Sequence, residues 1–219
     1  MFKIIDIKKD VKIFERLFKK RKKYYISSMA KQKFDREVVI EQSEHLFWHQ
    51  GYRSCSIQDI VKATGLKPGS IYNSFGNKET LYGEALERYT MTRVELIRNL
   101  IDGAPSIPEG FCRFLQDLVS QTAEKDYSSC FLIKTQFEIS SGQGSLHNQA
   151  VSGLEKVEEV IREYLSREYG DKLGRIRATS VMLHINGIRV YGYRKSGGEK
   201  MLLALQEGLS WLPWDKQEI

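Results

Sequence analysis

The sequence predicts an all-α protein, and three features of the 219-residue chain support that fold class. Apolar residues recur at intervals of three and four along most of the chain, which is the spacing of one helix face. No segment shows the strict alternation of apolar and polar residues that is typical of a half-buried strand. Glycines and prolines stand between the periodic segments, where helices end or begin. We therefore expect a small three-helix domain near the N-terminus, followed by a larger helical domain.

The composition is that of a globular protein in water, with 41% hydrophobic and 28% charged residues. Because no apolar run of about 18 residues is present, we expect no transmembrane helix and no membrane partner. The first residues lack the apolar core and the cleavage site of a signal peptide. Three cysteines without regular spacing argue against a disulfide framework, so we expect a cytoplasmic protein.

The net charge of +6 arises from the first 28 residues of the chain. Residues 1–28 carry ten basic and three acidic residues, which leaves 24 basic and 25 acidic residues for the rest. Three interpretations stay open: a basic arm along DNA phosphates, an amphipathic helix on a membrane or partner, and a leader that is not native because Met29 is the start. We treat residues 1–32 as a basic N-terminal extension.

A first helix is expected over about 33–50, with an apolar face that includes Val39 and Phe47. On the same helix, His45 and His49 follow the i, i+4 spacing that can hold a metal ion between two imidazoles. No acidic or cysteine ligand completes this pair. The sequence therefore predicts no metal site and no cofactor.

The second helix is expected to begin directly after a capping signature. Ser56 and Asp59 form the Ser-x-x-Asp pattern, in which each side chain bonds the backbone at a helix start. Gly65 supplies the left-handed residue that ends the helix and turns the chain. One apolar stripe follows the cap, made of Ile57, Ile60 and Val61.

A third helix is predicted immediately after this turn. Pro68 stands where the first turn of a helix needs no backbone N–H. Ile71 and Phe75 give the helix an apolar face, and Gly76 closes it. Two short helices joined by a tight turn, each too small to bury its own apolar face, are typical of a helix-turn-helix over residues 56–75.

The stretch from residue 38 to residue 86 carries four motifs of one known family. They are a Leu-Phe pair followed by Gly-Tyr, an Asp-Ile-Val…Ala…Gly core, Gly-Ser-Ile-Tyr-x-x-Phe, and Asn-Lys-Glu-x-Leu. With these motifs the stretch resembles the N-terminal DNA-binding domain of the TetR family of one-component regulators. We place this domain at residues 33–93. The rest of the chain is similar to the family only in its helical layout.

The third helix of such a domain turns its outward side chains towards base edges in the major groove. Lys67 can pair with phosphate or guanine, and Asn73 can bind adenine or phosphate. The resemblance implies that Tyr72 and Lys78 meet the DNA backbone. The predicted DNA-binding residues are Ser56, Gln58, Lys67, Gly69, Ser70, Tyr72, Asn73 and Lys78.

Beyond this domain the chain is expected to remain helical. A fourth helix is expected to begin at Asn77, and the segment 102–110, with two of the four prolines, is the predicted loop that opens the second domain. Two long helices are expected over about 143–169 and 174–194, and the second must be covered on several faces because it is apolar on most sides. We place an effector-binding and dimerisation domain at residues 94–219.

The resemblance implies that the larger domain binds a small-molecule effector and that its two long helices pair with those of a second copy. Such a homodimer presents two reading helices to a palindromic operator in double-stranded DNA. Residues 29–90 carry eight basic and eight acidic groups, so a general positive field does not supply the affinity for DNA. We expect the affinity for DNA to come from the placement of the contacting side chains and from dimerisation.

The effector pocket is expected between helices of the second domain. Its candidate residues, each of which also fits an ordinary core position, are Phe111, Phe114, Cys130, Phe131, Gln136, Phe137, Met182 and His184. The segment around Cys130 resembles the Gly-Cys-Leu…Leu-Glu-Leu stretch of the TetR subgroup that includes the N-ethylmaleimide-sensing repressor. A helix N-terminus there favours the reactive thiolate. Ser129 replaces the glycine of that stretch, and an inert buried cysteine stays the alternative.

The sequence contains no GxGxxG, GxxxxGK(S/T), HExxH, CxxC or GxSxG motif, so we expect that the protein is not an enzyme. We predict a ligand-responsive, DNA-binding transcriptional regulator, a repressor that a small molecule or an electrophile releases by favouring a tilt of the fourth helix. The alternative is an adaptor bound to a membrane or partner through the basic N-terminal extension. Deletion of residues 1–28 abolishes function only in an adaptor, whereas Tyr72→Ala abolishes it only in a regulator.

Overall fold

The structure is a computed structural model that describes residues 34–139, 144–194 and 197–214. Within these ranges the chain forms nine α-helices and no β-strand, so the predicted all-α class is confirmed. The interpretations of the basic N-terminal extension lie outside the described residues. Residues 37–219 form one compact unit, and the contacts given below belong to it.

The helices follow one another with short connections. They are α1 (Arg36–Gln50), α2 (Ile57–Thr64), α3 (Pro68–Phe75), α4 (Lys78–Asp102), α5 (Ile107–Gln121), α6 (Phe131–Glu138), α7 (Ser145–Tyr169), α8 (Asp171–Tyr191) and α9 (Gly198–Gly208). The first three helices and the start of α4 form the small N-terminal part, and the other helices form the larger part. No helix within the described ranges is long and apolar enough to cross a membrane.

Helix α4 belongs to both parts. Its 25 residues run unbroken through position 93, where we expected one domain to end and the next to begin. Asn77 caps the helix as predicted, because its side-chain oxygen accepts the N–H of Thr80 at 2.9 Å. Near the other end, Ile97 and Ile101 are buried in the core of the larger part. Helix α4 is therefore a continuous link between the two parts.

One apolar cluster fills the larger part, with contributions from α4, α5, α7, α8 and α9. Its fully buried members include Phe111, Leu115, Ile161, Val181 and Leu209. Helix α5 lies with its apolar face on this cluster, and its first turn is capped by Ser106, whose hydroxyl accepts the N–H of Glu109 at 3.3 Å. The cluster is continuous, so the larger part folds around a single interior.

Helices α7 and α8 form a tight hairpin joined by Gly170 alone. The φ of Gly170 is +78°, a conformation that favours glycine. A Cβ atom on Gly174 would lie 2.5 Å from the backbone nitrogen and Cα of Ser166, so the two helix backbones touch there. We expected the second helix of this pair to begin at residue 174, but it begins at Asp171 because one residue completes the reversal.

Arg88 of α4 forms ion pairs with three glutamates of α1. Arg88 lies 2.5 Å from the carboxylate of Glu44, 3.1 Å from Glu41 and 3.3 Å from Glu37. The three glutamates share one face of α1 because they are spaced by four and three residues. The side chains of Arg88 and Glu44 are 13% and 5% exposed, so water screens this pair little. Burial raises the pKa of Glu44, and Arg88 opposes that rise.

We expect Arg88→Met to lower the free energy of unfolding by about 3–5 kcal/mol, because Glu44 keeps a buried carboxylate without its main partner. A second change in the same chain, Glu44→Gln, should restore part of the loss. The matched control is Arg98→Met, whose ion pair with Glu163 is 42% and 44% exposed and contributes at most about 1 kcal/mol. Urea denaturation measures all three variants, and equal losses for the two arginine variants would contradict this role of Arg88.

Candidate nucleic-acid interface and ligand cavity

The start of α2 carries the predicted capping box. The Ser56 hydroxyl accepts the N–H of Asp59 at 3.2 Å, and the Asp59 carboxylate accepts the N–H of Ser56 at 3.0 Å. The Ser56 hydroxyl also donates to that carboxylate at 2.6 Å. These hydrogen bonds, from the side chain first and then the backbone, hold the pKa of Asp59 below its usual value. The cap fixes the start of α2 and leaves Ser56 and Gln58 exposed.

The turn between α2 and α3 is built as the sequence predicts. Gly65 has a φ of +69° and donates its N–H to the carbonyl of Val61 at 2.9 Å, which closes α2. Pro68 occupies the first turn of α3, where no backbone N–H is required. Leu66 between them is half-buried. The turn thus fixes the angle at which α3 leaves α2.

Helix α3 has one buried and one exposed face. Ile71 and Phe75 are 0% and 2% exposed, as the i, i+4 spacing predicts. Tyr72 is 48% exposed, and a Cβ atom on Gly69 would meet no other atom within 4 Å. Among the other residues predicted to bind DNA here, Ser70 is half-buried and the exposed ones are Lys67 and Asn73. The backbone and side chains on this face are open to a large partner.

Lys78 has a structural role at the start of α4. Its ammonium group donates to the carbonyls of Tyr52 at 2.8 Å and Cys55 at 2.9 Å. The same nitrogen lies 4.3 Å from the centroid of the Tyr52 ring. Two of its three N–H donors therefore tie α4 to the turn between α1 and α2, and one remains for a phosphate.

The end of α6 contacts the turn between α1 and α2. The Glu138 carboxylate accepts the backbone N–H of Tyr52 at 2.8 Å and that of Arg53 at 2.6 Å. A Cβ atom on Gly51 would lie 2.7 Å from the same carboxylate, so the contact is close. A side chain of the larger part thus satisfies two backbone donors next to the helix-turn-helix.

The beginning of α6 contacts the end of α1 in a similar way. The Lys134 ammonium donates to the backbone carbonyl of Trp48, and the Trp48 indole N–H donates to the carbonyl of Ser129. A cation at a helix C-terminus is favourable because it faces the negative end of the helix dipole. Burial lowers the pKa of Lys134, and Glu138 opposes that shift. We call these residues the α6 latch: Ser129, Lys134 and Glu138.

An aromatic cluster supports the α6 latch. The ring of Tyr82 lies 4.7 Å from that of Phe47, 5.1 Å from Tyr52 and 5.1 Å from Phe131, measured between centroids. Its hydroxyl bonds the hydroxyl of Thr135 at 2.8 Å. Burial raises the pKa of Tyr82 above its usual value. The small part and α6 therefore share one interior, in addition to the link that α4 provides.

From the sequence we expected α4 to link the two parts, and the α6 latch is a second link that we did not expect. The sequence does contain an indication of this second link. The carbonyl and N–H groups at the end of α1 need partners, and Lys134 and Glu138 are spaced by four residues, which places them on one face of α6. The bond from Tyr52 to Glu138 spans 86 positions of the chain, and no local pattern identifies such a pair.

A cavity of about 40 Å³ lies inside the larger part, between α4, α5, α6, α7 and α8. Its apolar wall includes Ile97, Leu118, Leu154, Val157 and Ile185. The polar residues that line it are Tyr89, Arg93, Cys130, Asn186 and Arg189. None of the described lining residues is acidic.

Three of the eight residues predicted to bind an effector line this cavity, namely Phe114, Cys130 and Met182. Cys130 is half-buried and stands at the N-cap of α6. The other five lie elsewhere. Phe111 and Phe131 are core residues, Phe137 is 74% exposed on the outer side of α6, and Gln136 and His184 are half-buried.

The polar residues of the cavity were not predicted from the sequence, because a single arginine on an apolar helix is usually assigned to the surface. Arg189 is 6% exposed and lies next to the buried Ile188 and one turn after the buried Ile185 on α8. Within the residues that the structure describes, no group of three or more His, Cys, Asp or Glu side chains could hold a metal ion. His45 and His49 lie exposed on α1.

Residues 39–85 match the family model described as bacterial regulatory proteins, tetR family. This match extends from α1 into α4 and contains the whole helix-turn-helix. The HTH-type transcriptional repressor ComR of Escherichia coli (strain K12) is 28% identical over 134 residues, 60% of this chain and 64% of ComR. The chain thus spans less than two thirds of ComR. The HTH-type transcriptional regulator LmrA of Bacillus subtilis (strain 168) is 31% identical over 87 residues, 39% of this chain and 46% of LmrA.

Two solved structures share the fold. One is a cysteine mutant of the TetR family transcriptional regulator CifR complexed with 26-bp double-strand operator DNA. It matches with a TM-score of 0.64 at 23% identity and covers 84% of this chain and all of that chain (100%). The reduced form of Escherichia coli NemR matches with a TM-score of 0.65 at 17% identity, over 78% of this chain and 95% of NemR. At these identities the likeness establishes the arrangement of helices.

We expect Glu138→Ala to speed hydrogen exchange of the amides at Tyr52 and Arg53 and to cost about 1–2 kcal/mol of stability, because two bonds to a charged acceptor are lost. The matched control is Glu124→Ala, at an exposed glutamate in the connection between α5 and α6. Hydrogen–deuterium exchange resolved by residue tests both. Unchanged exchange at Tyr52 and Arg53 in Glu138→Ala would show that the α6 latch does not hold this turn.

Proposed function

We propose that the chain is a DNA-binding transcriptional regulator of the TetR family and that it acts as a repressor. The outward face of α3 carries this proposal, because a helix-turn-helix with one buried and one open face is built to enter a DNA groove. The name of ComR, a transcriptional repressor, supports the sign of the regulation. As a regulatory protein the chain is not an enzyme, in agreement with the motifs that its sequence lacks.

The proposed DNA interface is the exposed side of α3 together with the start of α2. Tyr72 and Asn73 would face the major groove, while Ser56 and Gln58 at the N-terminus of α2 would meet phosphate. Lys78 would use its remaining N–H for a phosphate. Because the small part has no excess of positive charge, a single copy would bind weakly, and two copies are needed for a stable complex.

The proposed dimer interface is the exposed face of α8, next to α7. Ile176, Leu183 and Val190 are 61%, 67% and 56% exposed and are spaced by seven residues, so they form one apolar stripe on the helix. From the sequence we expected this helix to be covered on several faces. A second copy that pairs α7 and α8 across a twofold axis would cover it with a four-helix interface. Two reading helices would then lie about 34–36 Å apart, or a multiple of that distance, on a palindromic operator.

The proposed switch is a shift between two arrangements of the larger part. A small molecule in the cavity would favour one of them, and α4 and the α6 latch would pass the difference to the helix-turn-helix. Cys130 lines the cavity and directly follows Ser129, whose carbonyl accepts the indole N–H of Trp48 on α1. An electrophile at Cys130 is the second kind of effector that this placement accommodates. Equal affinity for DNA with and without effector would rule out the switch.

The proposed domain organisation is a DNA-binding domain at residues 33–93 and an effector-binding and dimerisation domain at residues 94–219, with α4 common to both. The proposed place of action is the cytoplasm, where a bacterial regulator meets its operator. No membrane partner is part of the proposal.

In vitro selection from a random DNA pool, with the chain from Met29 at a stated salt concentration, should enrich a palindrome. Tyr72→Ala should weaken binding to the enriched DNA at least about tenfold, because each half-site loses a ring contact and a hydroxyl contact. Tyr72→Phe separates the ring from the hydroxyl, and Lys125→Ala, at an exposed lysine after α5, is the control. If neither this chain nor the full-length chain enriches any sequence, the regulator proposal fails and the adaptor remains.

Leu183→Glu should convert the dimer to a monomer, because it places two like charges in a small apolar interface. Leu183 is exposed in the single chain, so the fold of the monomer should survive the change. Leu203→Glu on α9, at a leucine that is 44% exposed, is the matched control and should leave the dimer intact. Sedimentation velocity measures the mass of each variant. A dimer that survives Leu183→Glu would place the interface on another face.

A further inference from the structure

We propose that the effector is a small organic carboxylate whose charged end is held by Arg93 and Arg189. The cavity between α4 and α8 is the site, and only the effect of the ligand on DNA rests on the proposed function. The ligand class follows from the charge, the unpaired donor and the size of the cavity.

Two guanidinium groups line the cavity, one on the buried Arg189 and one on the half-buried Arg93. Arg189 is 6% exposed, and its guanidinium donates to the Gln121 side-chain oxygen at 3.3 Å. Among the described residues, no carboxylate lies within 4.0 Å of Arg93 or Arg189, whereas Arg88 has three such partners. An unpaired buried charge is costly, and an anion entering the cavity removes that cost.

An unpaired donor points to the same ligand. Arg93 Nε is buried and has no hydrogen-bond partner in the described part of the chain. A carboxylate in the cavity can accept from this N–H, and Arg189 lines the same cavity with a second guanidinium group.

The residues around the cavity do not supply the missing charge themselves. Burial raises the pKa of the Tyr89 hydroxyl above its usual value, so Tyr89 is neutral near pH 7. The described lining contains no aspartate or glutamate. A neutral or cationic ligand would leave the charges of Arg93 and Arg189 unbalanced. The electrostatics of the site therefore favour an anion.

The size and the walls of the cavity limit the rest of the ligand. About 40 Å³ corresponds to roughly three water molecules, so the cavity limits the ligand to a few heavy atoms and excludes a drug-sized one. Phe114, Leu118 and Met182 line the apolar side, which suits one or two methylene groups. A larger open groove, of about 490 Å³, lies between the starts of α4 and α7. It is lined by Glu79 and Glu87 and so repels an anion.

A carboxylate at this position would act on the helix-turn-helix through Trp48. The Arg93 guanidinium lies 4.8 Å from the ring of Tyr89 and 5.9 Å from the ring of Trp48. If the Arg93 guanidinium group reorients to pair with a bound carboxylate, its contact with the Trp48 ring weakens. The carbonyl and indole N–H of Trp48 are both held by the α6 latch, so the anion and the latch act on the same residue.

Propionate and its neutral analogue propionamide test the inference on the full chain without DNA. Isothermal titration calorimetry should show propionate binding at least about tenfold more tightly than propionamide, because only propionate pairs with the guanidinium groups. Arg93→Met and Arg189→Met should each weaken propionate binding about tenfold or more. Arg98→Met, which removes an exposed arginine of α4 outside the cavity, should leave it unchanged.

The comparison of the two ligands uses the unaltered chain, so it decides the matter even if an arginine variant does not fold. Equal binding of propionate and propionamide, or no binding of either, overturns the inference. If the chain binds its selected palindrome but not propionate, the inference fails while the proposed function stands. If propionate binds but no DNA is enriched, the carboxylate site stands and the proposed function fails.

Discussion

The backbone polar groups at the end of α1 are the constraint on which the arrangement of the molecule depends. A helix end and the turn after it leave carbonyl and N–H groups that must find partners. Here the partners are side chains of α6. The Lys134 ammonium group donates to the carbonyl of Trp48, and the Glu138 carboxylate accepts two N–H groups of the turn. Because α6 also begins at the wall of the cavity, the position of the helix-turn-helix depends on the interior of the larger part.

Three arginines of α4 and α8 have two different surroundings in the described part of the chain. Arg88 forms ion pairs with three glutamates of α1, which tie α1 to α4. Arg93, little more than one turn later on α4, and Arg189 on α8 line the cavity, and no carboxylate of the described residues lies within 4.0 Å of either. The same helix therefore carries one arginine whose charge is paired within the fold and one that the proposed anion would pair.

The features that could be predicted from the sequence are those that a few neighbouring residues decide. The capping box at Ser56, the left-handed Gly65 and the inward turn of Ile71 and Phe75 each depend on spacing within one or two helical turns. The α6 latch and Arg189 could not be predicted in this way, because their meaning depends on residues that are distant in the chain. For the cavity, Phe114 and Met182 were identified by their apolar type and Cys130 by the family resemblance, whereas the two arginines were not identified.

The two glycines at the start of α8 have a mechanical consequence. Gly170 reverses the chain in a single residue. Gly174 brings the backbone of α8 into contact with Ser166 of α7. Because the two backbones touch there, α7 and α8 cannot slide past each other without a steric clash. A ligand between α4 and α8 would therefore meet a hairpin that resists sliding, and we expect any displacement to fall on α4 and α6 and not on the α7–α8 pair.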